Sequence, residues 1–368
     1  MSDRSQTYAD SGVDYSSIDP IKVLAQKRAQ ETASNLNYFN ASEMSASRGE
    51  SAYVWEENDA YRSLVIEGLG TKNLVADEVR KYSGKTHYDT IAQDAIAMIV
   101  NDLIVVGAIP QVVNAYWAIG ESSWMSDVKR SRDLIEGWGK ACNEIGATWG
   151  GGETPTLKDI INPSTIDIGG SAIGIIKPKT HLVLGDKLNA NDAIVLIESS
   201  GIHANGITFV RKLAENNPEI YKELLPNGNT FGEALLTPTH LYVNLVKELL
   251  KSDLDIHYMV NITGHGWRKL MRSTKSFKYE IDFVPDVPDE FNFMQQKSNA
   301  TDQEMYGNFN MGAGFAIYVP ENAVNQVIET ASQMNLKAWR AGTVKEGSKQ
   351  VTIKSKNITY SEESLEVR

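Results

Sequence analysis

The alternation of apolar and polar positions divides the chain into two similar series of strands and helices. In the first half, apolar runs at 62–72, 112–119 and 165–176 predict buried strands, and helical spacing predicts helices at 21–33 and 126–146. In the second half, strands are predicted at 192–198, 309–319, 339–344 and 351–354, a helix at 321–335, and a frayed tail beyond residue 355. The polar stretch 178–191 separates the two series. We therefore predict an α/β protein with domains 1–179 and 180–368.

One apolar stretch, 87–110, carries polar residues where a buried helix would have none. Thr90 followed by Gln93 has the capping-box spacing, which predicts that a helix begins here. The polar positions fall on or near one face of this helix, because a residue advances about 100° around the axis. They are Asp89, Asp94, Asn101 and Asp102. Buried carboxylates are costly unless paired or bound to a cation, so the stripe predicts a ligand site. Capping of the helix ends by the same residues is the alternative.

A glycine turn follows the first strand, with the sequence Gly-Leu-Gly-Thr-Lys at 68–72. Gly68 and Gly70 would let backbone amides approach phosphate oxygens, and Lys72 would add a positive charge beside Thr71. We expect this lysine to lie in an exposed loop and to contribute little to stability. A tight turn with a solvated lysine is the competing interpretation, because the spacing is not that of a P-loop.

A run of three glycines follows an apolar strand near residue 149. It ends in Gly151 and Gly152 and is followed by Glu153 and Thr154. Glycines in this position predict a loop whose backbone comes close to a ligand. A flexible turn is the alternative.

In the second half, a polar loop precedes a predicted helix. Ser200, His203 and Asn205 lie in this loop, where backbone N–H groups and the helix dipole favour an anion. A simple capping role for the histidine stays open.

The composition narrows the classes of function. The 368 residues are 42% apolar and 23% charged, as in soluble globular proteins. The net charge of −11 argues against a nucleic-acid partner.

The single cysteine, Cys142, lies in a helical apolar stripe and excludes an internal disulfide. There is no signal-peptide core and no apolar run of membrane-spanning length, so we predict a cytoplasmic protein.

Short motifs along the chain occur in the order found in one enzyme family. They lie at 8–14, 68–72, 89–103, 151–154, 199–206, 235–239, 262–266, 304–306 and 309–314. With these blocks the chain resembles the aminoimidazole ribonucleotide synthetases, or phosphoribosylformylglycinamidine cyclo-ligases, of purine biosynthesis. Each block is short, but their joint order is specific.

The resemblance implies two α/β domains, each with a mixed sheet backed by helices, and a homodimer paired through the N-terminal sheets. It implies ATP and Mg²⁺ on the N-terminal domain and a synthetase-like C-terminal domain. The implied reaction is the ATP-dependent cyclisation of formylglycinamidine ribonucleotide. ATP phosphorylates the amide oxygen, and the amidine nitrogen then closes the imidazole ring. Such phosphoryl transfer depends on positioning and charge neutralisation more than on a nucleophilic side chain.

The resemblance also implies roles for individual residues. Lys72, Glu153 and His203 are the catalytic candidates, and Glu67, Asp94 and Asp102 are the candidate metal ligands. The candidates for binding the nucleotide are Gly68, Gly70, Thr71, Lys72, Asp89, Thr90, Asp94, Asn101, Asp102, Gly151, Gly152 and Thr154. Ser200, His203 and Asn205 are the candidates for contacting the substrate.

Several positions depart from the family pattern and mark a divergent member. The family usually has aspartate where this chain has Glu67, and often has histidine where it has Asn261. His265 replaces the middle glycine of a three-glycine loop, and the family's glycine-rich loop before the first strand is missing from 37–55. These departures leave a changed substrate open.

Two other functions stay open beside the cyclo-ligase. One is a related ATP-using phosphotransferase, similar to selenophosphate synthetase or thiamine-phosphate kinase. The absence of a cysteine near the N-terminus argues against the former, and the second-half loops argue against the latter. The other is a non-catalytic nucleotide-binding paralogue, which Glu67 and the altered loop at 37–55 would favour.

Overall fold

The computed structural model describes residues 15–365 and contains two mixed β-sheets with helices packed against them. The first sheet is built from β1 (Ala41–Glu43), β2 (Tyr53–Glu57), β3 (Ala60–Gly68), β4 (Ile109–Ile119), β5 (Thr148–Glu153) and β6 (Ile166–Ile176). Its order is β1-β2-β3-β6-β4-β5, and every pair is antiparallel except β4 with β5. The motif at 8–14 lies outside the described residues.

The second sheet has seven strands, all from the second half of the chain. They are β7 (Ala193–Glu198), β8 (Tyr258–Asn261), β9 (Phe277–Ile281), β10 (Ala313–Val319), β11 (Ala338–Glu346), β12 (Gln350–Ile353) and β13 (Ile358–Ser361). The order is β13-β12-β9-β11-β7-β10-β8, with β12 and β9 the parallel pair. Two mixed sheets of this kind confirm the predicted α/β class.

Ten α-helices lie within the described residues. They are α1 (Tyr15–Gln30), α2 (Lys72–Ser83), α3 (Tyr88–Ile104), α4 (Val128–Ile145), α5 (Ile207–Ala214), α6 (Phe231–Leu235), α7 (Val243–Lys251), α8 (Asp289–Ser298), α9 (Asp302–Asn308) and α10 (Val324–Gln333). A 3₁₀ helix, Gly266–Met271, follows β8. Over residues 15–365, no helix combines the length and apolar character needed to cross a bilayer.

The helix predicted in the stretch 87–110 is present, but its start was predicted wrongly. α3 begins at Tyr88, and its N-cap residue His87 has a φ of 58°. Thr90 donates its hydroxyl to the His87 carbonyl at 2.8 Å, and Gln93 donates to the carbonyl of Thr239 at 2.9 Å. The two side chains therefore do not form a capping box. Gln93 instead contacts the second half of the chain.

α3 packs against β3, β6 and α4, and 13 of its 17 residues are buried. The apolar stripe of α4 covers it from outside, and Cys142 lies in that interface as predicted. α4 begins at an Asp127 cap and ends at Gly146, whose φ of 71° suits the residue after a helix. These features confirm the predicted helix at 126–146.

β3 was predicted to be a buried strand, but the structure buries only one of its faces. Helices cover one face of the first sheet, but the opposite face is open. In this open face Leu64 pairs with Ile173, and Ile173 pairs with Val112, so three apolar side chains form a row across β3, β6 and β4. Ile66 is 79% exposed beside them. Alternating burial of this kind is expected for a sheet with one covered face.

Residues 356–365, the described part of the tail, form regular structure, contrary to the prediction. β13 pairs with β12 at the edge of the second sheet, from Gln350 with Ser361 to Ile353 with Ile358. Tyr360 is buried and donates its hydroxyl to the carbonyl of Gln303. A polar segment can hold an edge strand when alternate residues face the core, and this pattern is too short to recognise in the sequence.

Candidate active site

The polar stripe of α3 lies at the boundary between the two halves of the chain. Asn101 donates to the carbonyl of His240 at 2.8 Å and accepts from the backbone N–H of Tyr242 at 3.1 Å. Asp102 accepts a 2.7 Å hydrogen bond from Asn261. Asp89 does not take part, because it is exposed at the first turn of α3. The buried part of the stripe therefore joins the two sheets.

Lys72 is buried rather than exposed, which corrects the expectation from the sequence. Its ammonium lies 2.8 Å from Asp94 Oδ2 and donates to the carbonyl of Thr237 at 3.0 Å. Asp94 Oδ1 accepts from both the N–H and the hydroxyl of Thr239. Burial raises the pKa of Asp94 and lowers that of Lys72, and their mutual attraction opposes both shifts. In this arrangement Asp94 has no free oxygen for a metal ion, and Lys72 has no exposed charge for a phosphate.

The starts of α2 and α5 meet beside this ion pair. Thr71 is the N-cap residue of α2 and Gly206 that of α5, and neither helix start is capped by a side chain. The hydroxyls of Thr71 and Thr208 are 3.4 Å apart. Uncapped first-turn N–H groups and the positive end of the helix dipole attract anions. The structure thus brings the turn at 68–72 and the loop at 199–206 together.

A second charged cluster lies at the end of β3. Glu67 is half-buried near Asp102, and partial burial together with that negative charge raises the pKa of Glu67 to about 7. Lys269, on the 3₁₀ helix, lies close enough to influence both acids, and burial lowers its pKa to about 8. Its ammonium also contacts the hydroxyl of Thr263. Two acidic side chains from different elements therefore lie near each other at the boundary.

The cluster at Glu67 suits Mg²⁺, which proteins often hold with one or two carboxylates while phosphates and water complete the shell. Within residues 15–365, no group of three or more histidine, cysteine, aspartate or glutamate side chains could hold a metal by itself. Glu67 and Asp102 are the residues that fit a shared metal and phosphate site.

The positions that depart from the family pattern lie together in this cluster. Asn261 is the residue that bonds Asp102. His265 is buried, and burial together with Lys269 and neighbouring arginines lowers its pKa to about 2. The segment 37–55, which stands in place of the family's glycine-rich loop, also contacts this region. Arg272 donates to the carbonyl of Gly49 in that segment at 2.9 Å. The substitutions thus occur as one interacting group.

The substrate-binding candidates of the second half are largely buried. His203 has a φ of 64°, and its Nε2 accepts from the N–H of Ser200 at 3.2 Å. Burial, His240 and Lys72 hold the pKa of His203 well below its usual value, so the imidazole is neutral. Ser200 donates its hydroxyl to the carbonyl of Pro238 at 2.7 Å. Asn205 reaches Met98 of α3 with its amide, 3.2 Å from the sulfur.

The glycine run near residue 150 forms a strand, not the loop we predicted. β5 contains all three glycines, and a Cβ at Gly152 would lie 2.2 Å from the carbonyl oxygen of Ala115 on β4. β5 is the edge strand, three positions from β3, which at about 4.8 Å per strand is roughly 14 Å. Gly151, Glu153 and Thr154 are exposed there, away from Lys72. Strand packing therefore requires glycine at position 152, a φ of 117° favours it at position 151, and the ligand roles of these residues stay predictions.

One acidic residue of the site was missed from the sequence. Glu290, in the first turn of α8, is 5% exposed, and burial raises its pKa to about 7. The charge of Lys72 acts on it, and a Cβ added to Gly201 would lie 2.7 Å from its Oε1. Residues four apart lie on the same face of a helix, and Met294 is buried. The spacing of Glu290 and Met294 could therefore have indicated that this carboxylate faces inward.

The two mixed sheets, with the turn at 68–72 and the loop at 199–206 brought together between them, define a class of two-domain α/β proteins. Thiamine monophosphate kinase from Aquifex aeolicus superposes with a TM-score of 0.55 at 18% identity, covering 81% of this chain and 88% of that one. T. maritima PurL, solved in complex with ADP, gives a TM-score of 0.55 at 16% identity over 84% of this chain and 46% of its own. At such identities the similarity establishes the fold.

The sequence comparison identifies the family. Residues 49–176 match the N-terminal domain of AIR synthase related proteins, and residues 189–354 match the C-terminal domain. The chain therefore belongs to the AIR synthase related protein family. The phosphoribosylformylglycinamidine cyclo-ligase of Methanocaldococcus jannaschii is 35% identical over 345 residues, 92% of each chain. The enzyme of the same name from Carboxydothermus hydrogenoformans is 34% identical over 78% of this chain and 81% of its own.

Proposed function

We propose that this protein catalyses the ATP-dependent cyclisation of formylglycinamidine ribonucleotide to aminoimidazole ribonucleotide, with release of ADP and phosphate. Relatives named for this activity match 92% of the chain, which favours it over a phosphotransferase or a non-catalytic role. The observation that carries the proposal is the meeting of two uncapped helix starts at Thr71 and Thr208. It creates a place for the transferred phosphoryl group between the two halves of the chain.

The reaction has two steps. The substrate amide oxygen takes the γ-phosphoryl group of ATP, and the amidine nitrogen then attacks the activated carbon. A C–N bond forms, the bond from that carbon to the phosphorylated oxygen breaks, and phosphate leaves. The first-turn N–H groups of α2 and α5 stabilise the negative charge that develops on the phosphoryl oxygens. Glu67 and Asp102 would hold Mg²⁺, which neutralises part of the nucleotide charge when bound.

Lys72 takes a different role from the one predicted from the sequence. Because its ammonium is buried and contacts Asp94 and Thr237, we infer that it positions the start of α2 and does not itself bind phosphate. His203 likewise positions the loop at 199–206 through the N–H of Ser200.

The open face of the first sheet supports a homodimer. Leu64, Ile173 and Val112 form an apolar row there, with Ile66 beside it. Contiguous exposed apolar surface commonly marks a protein interface. In a two-fold dimer the same apolar row of each copy would contribute to the interface. The single cysteine and the absence of a disulfide suit the cytoplasm as the location of the enzyme.

The direct test is to incubate the protein with ATP, Mg²⁺ and formylglycinamidine ribonucleotide and to measure ADP and the imidazole product together. We expect both to form in equal amounts, and only when all three components are present. ADP without the imidazole product would indicate a phosphotransferase or a simple ATPase. The absence of both, in protein whose folding is verified, would indicate a non-catalytic relative. Growth of a purine auxotroph that lacks this step provides an independent test.

A further inference from the structure

A large cleft opens at the surface beside the meeting point of α2 and α5. Its volume is 820 Å³, within the range of about 300–1,000 Å³ that is usual for small-molecule sites. Leu74 of α2 and Thr208 of α5 line it, as do Thr165 at the start of β6 and Tyr221. Since Thr208 is the residue whose hydroxyl meets Thr71, the cleft adjoins the proposed phosphoryl-transfer position.

The cleft is cationic although the chain as a whole is acidic. Its lining carries five arginine and lysine side chains but three carboxylates, on a chain with a net charge of −11. Four of the five cations are satisfied by acids. Arg80 pairs with Asp127, Lys81 with Glu78, Arg130 with Asp77, and Lys212 with Glu215.

Arg211 differs from these four cations. Of the five cations in this lining, it is the one that makes no hydrogen bond or ion pair to another described residue. It is half-buried on α5, one turn beyond Thr208, which corresponds to about 4.5 Å along the helix axis. An arginine presents five N–H donors in a planar fork that matches two oxygens of a phosphate group. Glu215 lies near enough to attract Arg211, but its carboxylate pairs with Lys212, so the donors of the half-buried Arg211 fork are suited to an anionic ligand.

We propose that this cleft binds the ribose phosphate end of the substrate and that Arg211 holds its phosphomonoester group. The inference rests on the proposed function for the identity of the ligand, but a sugar phosphate site is defined here by the cleft itself. With the phosphate at Arg211, the sugar extends along α5 towards Thr208. The amide and amidine end then lies at the junction where phosphoryl transfer takes place. The four paired cations hold the walls of the cleft, and Arg211 supplies the charge that their acidic partners do not balance.

The test measures binding without turnover, by titrating ribose 5-phosphate into the protein in a calorimeter and repeating the titration with ribose. We expect ribose 5-phosphate to bind at millimolar concentrations and ribose to bind at least tenfold more weakly. Arg211→Ala should weaken ribose 5-phosphate binding by tenfold or more, and Arg211→Lys should fall between this variant and the wild type. The matched control is Arg132→Ala, an exposed arginine on α4 outside the cleft, which should leave binding within twofold.

The outcomes separate this proposal from the proposed function. If the wild type forms no imidazole product but Arg211→Ala still weakens sugar phosphate binding, the cleft assignment stands and the cyclisation does not. If the product forms and Arg211→Ala changes neither sugar phosphate binding nor the KM for the ribotide, the cleft assignment is overturned. Failure of the wild type to bind ribose 5-phosphate, or equal affinity for ribose, also overturns it. Thermal melting of each variant verifies that the fold is intact.

Discussion

The ammonium of Lys72 lies 2.8 Å from the carboxylate of Asp94, and neither side chain has any exposed surface. The pair joins the start of α2 to α3, and hydrogen bonds to Thr237 and Thr239 extend it into the second half of the chain. Removing one charge of a buried pair leaves the other uncompensated, which is more costly than the net gain from forming the pair. The site and the boundary between the halves therefore depend on the same contact.

We predict that Lys72→Met lowers the free energy of unfolding by about 3–5 kcal/mol, because Asp94 is left charged and buried. Chemical denaturation of the purified variant measures this change. Unaltered stability would show that the ion pair does not hold the two halves together.

The control for this prediction is the double variant Lys72→Met with Asp94→Asn, which removes both charges. It should regain a large part of the lost stability, because no unpaired charge remains. If the double variant is as unstable as the single one, packing of the lysine stem is the cause of the loss instead.

Glu290→Gln should change how stability depends on pH. Burial raises the pKa of Glu290 from 4.5 to about 7, so the folded state favours the protonated carboxyl. Its contribution to stability is fully present below pH 4.5 and is lost as the pH rises through about 7. Glutamine stays neutral, so the variant should be more stable than the wild type at pH 8, by on the order of 2–3 kcal/mol, and similar at pH 4.5.

Denaturation at both pH values checks the Glu290 prediction. Glu329→Gln, at an exposed position on α10, serves as the control and should show the same small difference at each pH. A gap between Glu290→Gln and the wild type that does not change with pH would refute burial as the cause.

Ile66→Glu should disrupt the homodimer. The side chain is 79% exposed in the open face of the first sheet, and a buried carboxylate at a dimer interface would have no partner. Sedimentation velocity should show a dimer for the wild type and a monomer for the variant. Ile160→Glu, 78% exposed outside this sheet face, should remain dimeric. Equal dimerisation of both variants would place the interface elsewhere.

Gly314→Ala should destabilise the protein by about 1–3 kcal/mol. An added Cβ would lie 2.2 Å from the Tyr242 hydroxyl and 2.4 Å from Cε1 of His203, and all three residues are buried. Gly139→Ala is the control, because it lies inside α4 with no atom within 4 Å of the new Cβ. That change should stabilise by about 0.5–1 kcal/mol, the usual helix preference for alanine. Thermal melting compares the two variants. An unchanged melting temperature for Gly314→Ala would mean that the side chains around His203 can move aside for the added methyl group.

The local pattern of the sequence was sufficient for most of the elements. β4, β6 and α4 were predicted within a few residues, because apolar periodicity and the glycine after a helix act over short distances. The polar stripe of α3 was also visible, since four polar residues in an apolar helix require partners. The motif order indicated the family, which the domain matches confirm.

Only the tertiary structure decided what those polar residues contact. Thr239, which donates to Asp94, and His240, which accepts from Asn101, are about 140 residues away from them along the chain, so no local pattern could reveal that the stripe joins the two halves. The burial of Lys72 was decided in the same way, because its position at a glycine turn is compatible with either solvent or an ion pair. The open face of β3 and the unpaired Arg211 likewise depend on which neighbours the fold supplies. The sequence alone determined most of the elements and the family, because these depend on local patterns, whereas long-range packing decided the partner of each charge.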